Sequence, residues 1–185
     1  LDVGTGDGGI RRVRVTSRVL AQDDSGGGVR NGINAYGKKN FLGTVAVPYA
    51  VVTDFSFIHG QPENERRSGI IEAVKVALVK DAAFYRWIEE NSEKLANLEP
   101  HAVEETIERS ALLHASHIAY GGDPYETGNS RPLDFGHWAA HKIEQLCDFQ
   151  LSHANAVSVG LALDTVYSWK TGRLEQASAM RALRT

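Results

Sequence analysis

The sequence predicts a mainly α, multihelical domain with a short β-containing segment at its N-terminal end. Three observations predict it. Residues 63–98 contain no proline and a single glycine, and read as two helices. "PHAVEETIERSALLHASHIAY" places Pro100 where a first helical residue belongs. Residues 1–44 are glycine-rich and irregular, so the strand signal is confined to two short stretches.

The elements follow in order. "DVGTGDGG" (2–9) lacks the preceding strand and following helix of a dinucleotide-binding loop. "RRVRV" (11–15) alternates as a short strand does. "DDSGGGVRNGIN" (23–34), with three consecutive glycines and an Asn-Gly step, reads as a loop or turn. Its backbone N–H groups can cradle an anion, but it has neither a P-loop ending nor a GxGxxG fingerprint. "YAVVTD" (49–54) reads as a second, valine-rich strand. Residues 121–132 form a loop, followed by a helix in "RPLDFGHWAAHKIE", a helix over 153–169 and a short one from about 173 to the end.

Bulk composition excludes several classes. The 185 residues suit one domain, 42% hydrophobic and 23% charged, able to bury a core. A net charge of -3 gives no basic footprint for nucleic acid. No polybasic run addresses an anionic membrane, and no apolar stretch is long enough to span one. The single cysteine, Cys147, rules out an internal disulfide framework and fits a reducing, cytoplasmic compartment. The chain opens on Leu1 rather than methionine, as a fragment or processed product does.

Polar groups in apolar surroundings mark the candidate chemistry. On a helix, His137, His141 and Glu144 share one face, and a histidine pair four apart can hold a divalent ion if a third ligand arrives from elsewhere. The same spacing also suits ordinary helix surface. "SGIIEAVKVALVK" is apolar around its whole circumference, which predicts burial, yet it contains Glu72 and Lys75. Buried charges persist when paired or bound to metal. His153 opens an apolar helix, and its bland reading is a half-exposed helix-start residue. His114 and His117, three apart, read as surface.

These residues add up to a resemblance. "GGDPYETGNSRPLDFGHWAAHKIEQLCDFQLSHANAVSVGLALD" resembles the metal-binding core of the sugar phosphate cyclases, which include 3-dehydroquinate synthase and the 2-epi-5-epi-valiolone synthases. "LAQDDSGGGVRNGINAYGKKNFLGT" and "RSGIIEAVKVALVKDAAFYRWIEEN" resemble two further blocks in the same order, so the likeness covers roughly residues 11 to 170. It implies the multihelical C-terminal domain of the dehydroquinate synthase-like fold, here a single metal- and substrate-binding domain over residues 1–185, without the family's nucleotide-binding domain and closing helices. It implies NAD and one divalent metal, zinc or cobalt, held by Glu72, His137 and His153, which replaces the local His137–His141–Glu144 triad. His141 then lies near the phosphate-elimination chemistry, and Lys75 and Asp24 belong to the catalytic machinery. Asn40 and Arg30, the latter in place of a loop lysine, together with Asp134 and Arg131, match substrate-contacting positions. Lys39 matches a position near the cofactor.

The implied reaction oxidises a hydroxyl of a sugar phosphate, eliminates phosphate, reduces the ketone back and closes the ring by an aldol step. Where the dehydroquinate branch grips a carboxylate with two cations, this sequence has His114 and Ser130, with Arg131 adjacent. The branch's asparagine is Asp134. Lost cations and a gained anion disfavour a carboxylate substrate, and "RPLDFGHW" is typical of the valiolone-type branch, so the implied substrate is sedoheptulose 7-phosphate. The implied partners are a second copy in a homodimer, or a nucleotide-binding domain supplied from elsewhere. Thr16-Ser17-Arg18 replaces Pro-Thr-Thr, and Asn155 replaces the glutamate beside the histidine ligand. Substitutions in loop 16–31 point to a non-catalytic remnant, whereas the intact Glu72, Lys75, His137, His141 and His153 set points to the metal and substrate half of a cyclase.

Overall fold

A computed structural model describes residues 10–123, 125, 127, 128 and 131–185, which leaves the 2–9 glycine stretch and Ser130 outside the described residues. The two expected strands form and pair with each other. β1 (Val13–Thr16) runs parallel to β4 (Ala50–Thr53), with Val13 opposite Ala50 and Thr16 opposite Thr53.

Between them the chain departs from the loop expected over 23–34. Residues 23–34 are only partly loop. A π-helical turn, Ala21–Ser25, precedes the glycines, and β2 (Arg30–Ala35) and β3 (Lys38–Val45) build an antiparallel hairpin. Tyr36 and Gly37 carry φ of 53° and 69°, the two positive values of a tight primed turn. The signal was the Tyr-Gly step between β-capable runs. Two N–H groups of the glycine loop are taken up within the turn. The Gly26 and Gly27 N–H groups donate to Ala21 and Asp24 carbonyls, while Arg14 donates to the Gly26 and Gly28 carbonyls at 2.7 and 2.6 Å.

Among the described residues, seven α-helices follow. α1 spans Glu63–Lys80, α2 Ala82–Glu90, α3 Ser92–Ala96 and α4 Pro100–Tyr120. The stretch read as two helices is therefore three. Asp81 ends α1 in extended conformation and caps α2, its Oδ1 accepting from the Ala83 and Phe84 N–H groups at 2.8 and 3.0 Å. After a 3₁₀ turn at Pro132–Asp134 come α5 (His137–Leu146), α6 (His153–Lys170) and α7 (Gln176–Ala182). Ser152 caps α6 by accepting from the Asn155 N–H. Asn155 thus stands at the position where a capping box carries glutamate.

Two apolar clusters flank α1. Phe84, Ile88, Leu95, Val103 and Ile107 pack with Ala73 and Ala77 on one side. Ala140, Ala156, Val157 and Leu161 gather with Ile71 on the other. No residue of α1 from Ser68 to Lys80 is exposed, as its all-round apolar character requires. Truncating Phe84 to alanine is expected to cost about 3–5 kcal/mol, read as a shift in the denaturation midpoint. No described helix is long and apolar enough to cross a membrane.

Candidate metal centre

α1 delivers Glu72 and Lys75 to the region between the two clusters, and both are buried, at 1% and 2% exposure. α5 and α6 each begin with a histidine, His137 and His153. The start of α5 lies against the middle of α6, where two glycines let backbone touch backbone. Gly136 precedes α5 with φ 79°. A Cβ on Gly160 of α6 would lie 1.9 Å from the Gly136 carbonyl oxygen. Asp164 fixes the same junction by accepting from the Gly136 N–H at 2.7 Å. Gly160→Ala must push α5 from α6, an overpacking cost of about 1–3 kcal/mol. It is expected to lower both the melting temperature and divalent-metal affinity.

Glu72 Oε1 stands 3.5 Å from Nε2 of His137 and 3.5 Å from Nε2 of His153. These three ligand atoms, one carboxylate oxygen and two imidazole nitrogens, lie within 4.8 Å of one another. A tetrahedral zinc site with bonds of about 2.0–2.2 Å has ligand-to-ligand edges of about 3.3–3.5 Å, so the set fits a divalent ion. His137 Nδ1 lies 3.3 Å from the Phe135 carbonyl, which leaves Nε2 for a ligand. Glu72 Oε2 is 2.7 Å from the Lys75 ammonium, a buried ion pair on the side away from the histidines.

Electrostatics keep the carboxylate ionised. Burial alone would raise the Glu72 pKa, yet the facing imidazoles of His137 and His153 and the charge of Lys75 hold it well below the ordinary carboxylate range. Burial would lower the Lys75 pKa, but Asp24 and Glu72 push it up past its ordinary value. Lys75 is therefore a fixed ammonium at neutral pH, a donor and charge rather than a base. The His141 pKa is lowered by burial first, then by His137, His153 and Lys39, so this ring is neutral at neutral pH. The His153 pKa is also opposed by burial, but Glu72 raises it overall.

The cluster continues outward on both sides. Lys75 Nζ donates to Asp24 Oδ2 at 2.8 Å, and Asp24 Oδ1 meets His114 Nε2 at 3.0 Å. His114 is buried at 7% exposure on α4, not on the surface as its sequence context suggested. Burial would raise the Asp24 pKa, but Lys75 and His114 lower it overall. Asp24 and His114 line a pocket of about 360 Å³. On the other side, His153 Nδ1 lies 3.1 Å from Glu144 Oε2, and Lys39 Nζ lies 2.7 Å from Glu144 Oε1.

The structure thus joins Asp24, Lys75, Glu72, His137, His153 and Lys39 in one network, with the His141 ring centroid 5.6 and 5.8 Å from those of His137 and His153. Arg30 and Asn40, on opposite strands of the hairpin, both line a pocket of about 480 Å³. Arg131 and Asp134 face each other at 3.8 Å, ahead of α5. Glu144 belongs to the network as a neighbour of His153. Spacing within one helix placed it beside His137 and His141, but could not show what reaches it from α6 and the hairpin.

A family model for the C-terminal part of 3-dehydroquinate synthase matches residues 69–185, and one for its N-terminal part matches residues 4–68. The chain belongs to the 3-dehydroquinate synthase family, within the sugar phosphate cyclases. This family member is 33% identical, over 95% of its length, to a 3-dehydroquinate synthase of Pseudomonas putida (strain W619), and it covers 48% of that protein. It superposes with a TM-score of 0.91 and 27% identity on a 2-epi-5-epi-valiolone synthase from Streptomyces hygroscopicus subsp. jinggangensis 5008 solved with NAD+ and Zn2+ bound. That match takes in 100% of this chain and 51% of the other. A 2-deoxy-scyllo-inosose synthase solved with carbaglucose-6-phosphate, NAD+ and Co2+ shares the fold at TM-score 0.85 and 21% identity, over 97% of this chain and 48% of that one. The family member spans about half the length of these relatives.

Proposed function

We propose that this chain is the metal- and sugar-phosphate-binding part of a sugar phosphate cyclase, acting on a heptulose phosphate of the sedoheptulose 7-phosphate type. The observation that carries the proposal is the Glu72–His137–His153 constellation, drawn from three helices with 3.5 Å edges. Glu72, His137 and His153 would hold one divalent ion, zinc or cobalt. Three protein ligands leave positions open to substrate. When bound, such an ion lowers the pKa of a hydroxyl and polarises a carbonyl, and NAD takes up and returns a hydride.

The chain's own residues have separate tasks. Lys75, charged and fixed between Glu72 and Asp24, presents a donor beside the ligand set. Asp24 orients that ammonium and ties it to His114. His141, neutral beside both ligand histidines, suits proton exchange near the leaving phosphate. Arg30 and Asn40 on the hairpin, with Arg131 and Asp134 before α5, would contact substrate. Lys39 would brace the hairpin next to the cofactor.

A neutral-headed substrate is favoured by what the cation positions do. His114 is committed to Asp24, and the Arg131 guanidinium faces Asp134. A carboxylate would meet the Asp134 anion there. The 33% identity to a 3-dehydroquinate synthase favours the second reading, 3-dehydroquinate synthase proper. The two part in an assay with a nucleotide-binding domain, NAD and zinc supplied, following phosphate release. Release from sedoheptulose 7-phosphate supports the first reading. Release only from a carboxylate-bearing heptulosonate phosphate supports the second. Release from neither, with metal bound, identifies a non-catalytic remnant.

A further inference from the structure

Glu144 carries no role in the ligand set above, yet it is one of the few buried acids, at 4% exposure. It sits on the stripe of α5 that bears His137 and His141, seven and three residues earlier. Its two oxygens are divided. Oε1 takes the Lys39 ammonium at 2.7 Å, and Oε2 faces His153 Nδ1 at 3.1 Å. Lys39 comes from β3, so a hairpin, α5 and α6 converge on one carboxylate.

We propose that Glu144 is a positioning residue that holds His153 as its Nδ1–H tautomer, directs Nε2 toward the Glu72 oxygen, and is itself anchored by Lys39. The proposal rests on the reading of Glu72, His137 and His153 as metal ligands. A carboxylate can only accept, so the ring nitrogen it bonds must carry the proton. His153 faces two carboxylates, and the geometry ranks them. Glu144 is at hydrogen-bonding distance from Nδ1, whereas Glu72 stands 3.5 Å from Nε2, too far for a good hydrogen bond and close to a ligand-to-ligand edge. His137 has the parallel arrangement, its Nδ1 turned to the Phe135 carbonyl. Outer partners of this kind orient a ligand ring and raise its basicity.

His141, Glu144 and His153 also lie close enough to form a ligand set of their own. Lys39 argues against it, because its ammonium already occupies the carboxylate and would repel a second cation.

The test combines two readouts on the same chain. Zinc affinity is measured by competition with a chromophoric chelator. The His153 tautomer is read from imidazole 15N shifts in metal-free protein, at a pH where the ring is neutral. The wild-type ring is expected to be protonated at Nδ1. Glu144→Gln is expected to weaken zinc about 10–100-fold and to lift the bias toward Nδ1–H. Glu144→Asp, which withdraws the carboxylate by one methylene, is expected to fall between the two and serves if the glutamine variant does not fold. A wild-type ring protonated at Nε2, unchanged zinc affinity in both variants, or a second zinc equivalent lost with His141→Ala would each overturn the proposal. His137→Ala separates the two readings. If it leaves zinc affinity intact, the ligand assignment has failed, and the tautomer measurement still decides the Glu144–His153 contact.

Discussion

His137→Ala combined with His153→Ala is expected to abolish metal binding, leaving the folded chain without the roughly one zinc or cobalt per molecule that elemental analysis should find in the wild type. Glu72→Gln is expected to weaken the metal more than about 100-fold, because the loss of a direct anionic ligand exceeds the effect of an outer partner. The physical reason is the division of labour in the site. Glu72 supplies the negative charge and sits at the corner shared by both 3.5 Å edges. The histidines are the first residues of two helices that are held together where Gly136, ahead of α5, meets Gly160 and Asp164 within α6. The double variant removes side chains without disturbing that backbone junction, so its circular dichroism should stay helical. A wild-type chain that takes up no metal at neutral pH would sink the ligand assignment and leave the histidines as scaffold.

Lys75→Met is expected to destabilise the fold by about 3–5 kcal/mol, the scale for removing one partner of a buried ion pair. The methionine fills the volume, but Asp24 and Glu72 remain as carboxylates without the ammonium between them. Glu72 and Lys75 each give the metal-free chain a pH-dependent contribution. The Glu72 pKa lies well below its ordinary 4.5, so its contribution is complete above about pH 4.5 and is lost as pH falls through the folded-state value. The Lys75 pKa is raised from 10.5, so its contribution is complete below about pH 10.5 and is lost as pH rises through the folded-state value. The contribution of Glu72 and Lys75 is therefore expected to stay level between these limits and to fall outside them. In Lys75→Met the alkaline loss should vanish and the acid loss should shrink, because protonating a lone buried carboxylate relieves strain. A midpoint within about 0.5 kcal/mol of wild type would place Lys75 at the surface, contrary to its burial.

Much of this was legible in the sequence. Helix positions came from proline placement and apolar periodicity, because those are properties of a few consecutive residues. The burial of Glu72 and Lys75 followed from an α1 face with no polar side to turn outward. The membership of the chain followed from three blocks in order. The β2–β3 hairpin was missed because its strands are exposed and weakly alternating, so only the Tyr-Gly turn announced it. The burial of His114 was not legible because Asp24, the group it meets inside the fold, lies far from it in sequence.

The sequence by itself determined which residues bear charge in apolar surroundings, because burial pattern is local and helical period is fixed by backbone geometry. Only the tertiary structure decided how they pair. Asp24 and Lys75 are 51 residues apart, and Lys39 and Glu144 are 105 apart. Spacing along a helix fixed the faces of His141 and Glu144, whereas the packing of α1, α5 and α6 at the Gly136–Gly160 contact decided that Glu72 reaches His137 and His153 and that Glu144 turns to the far side of His153.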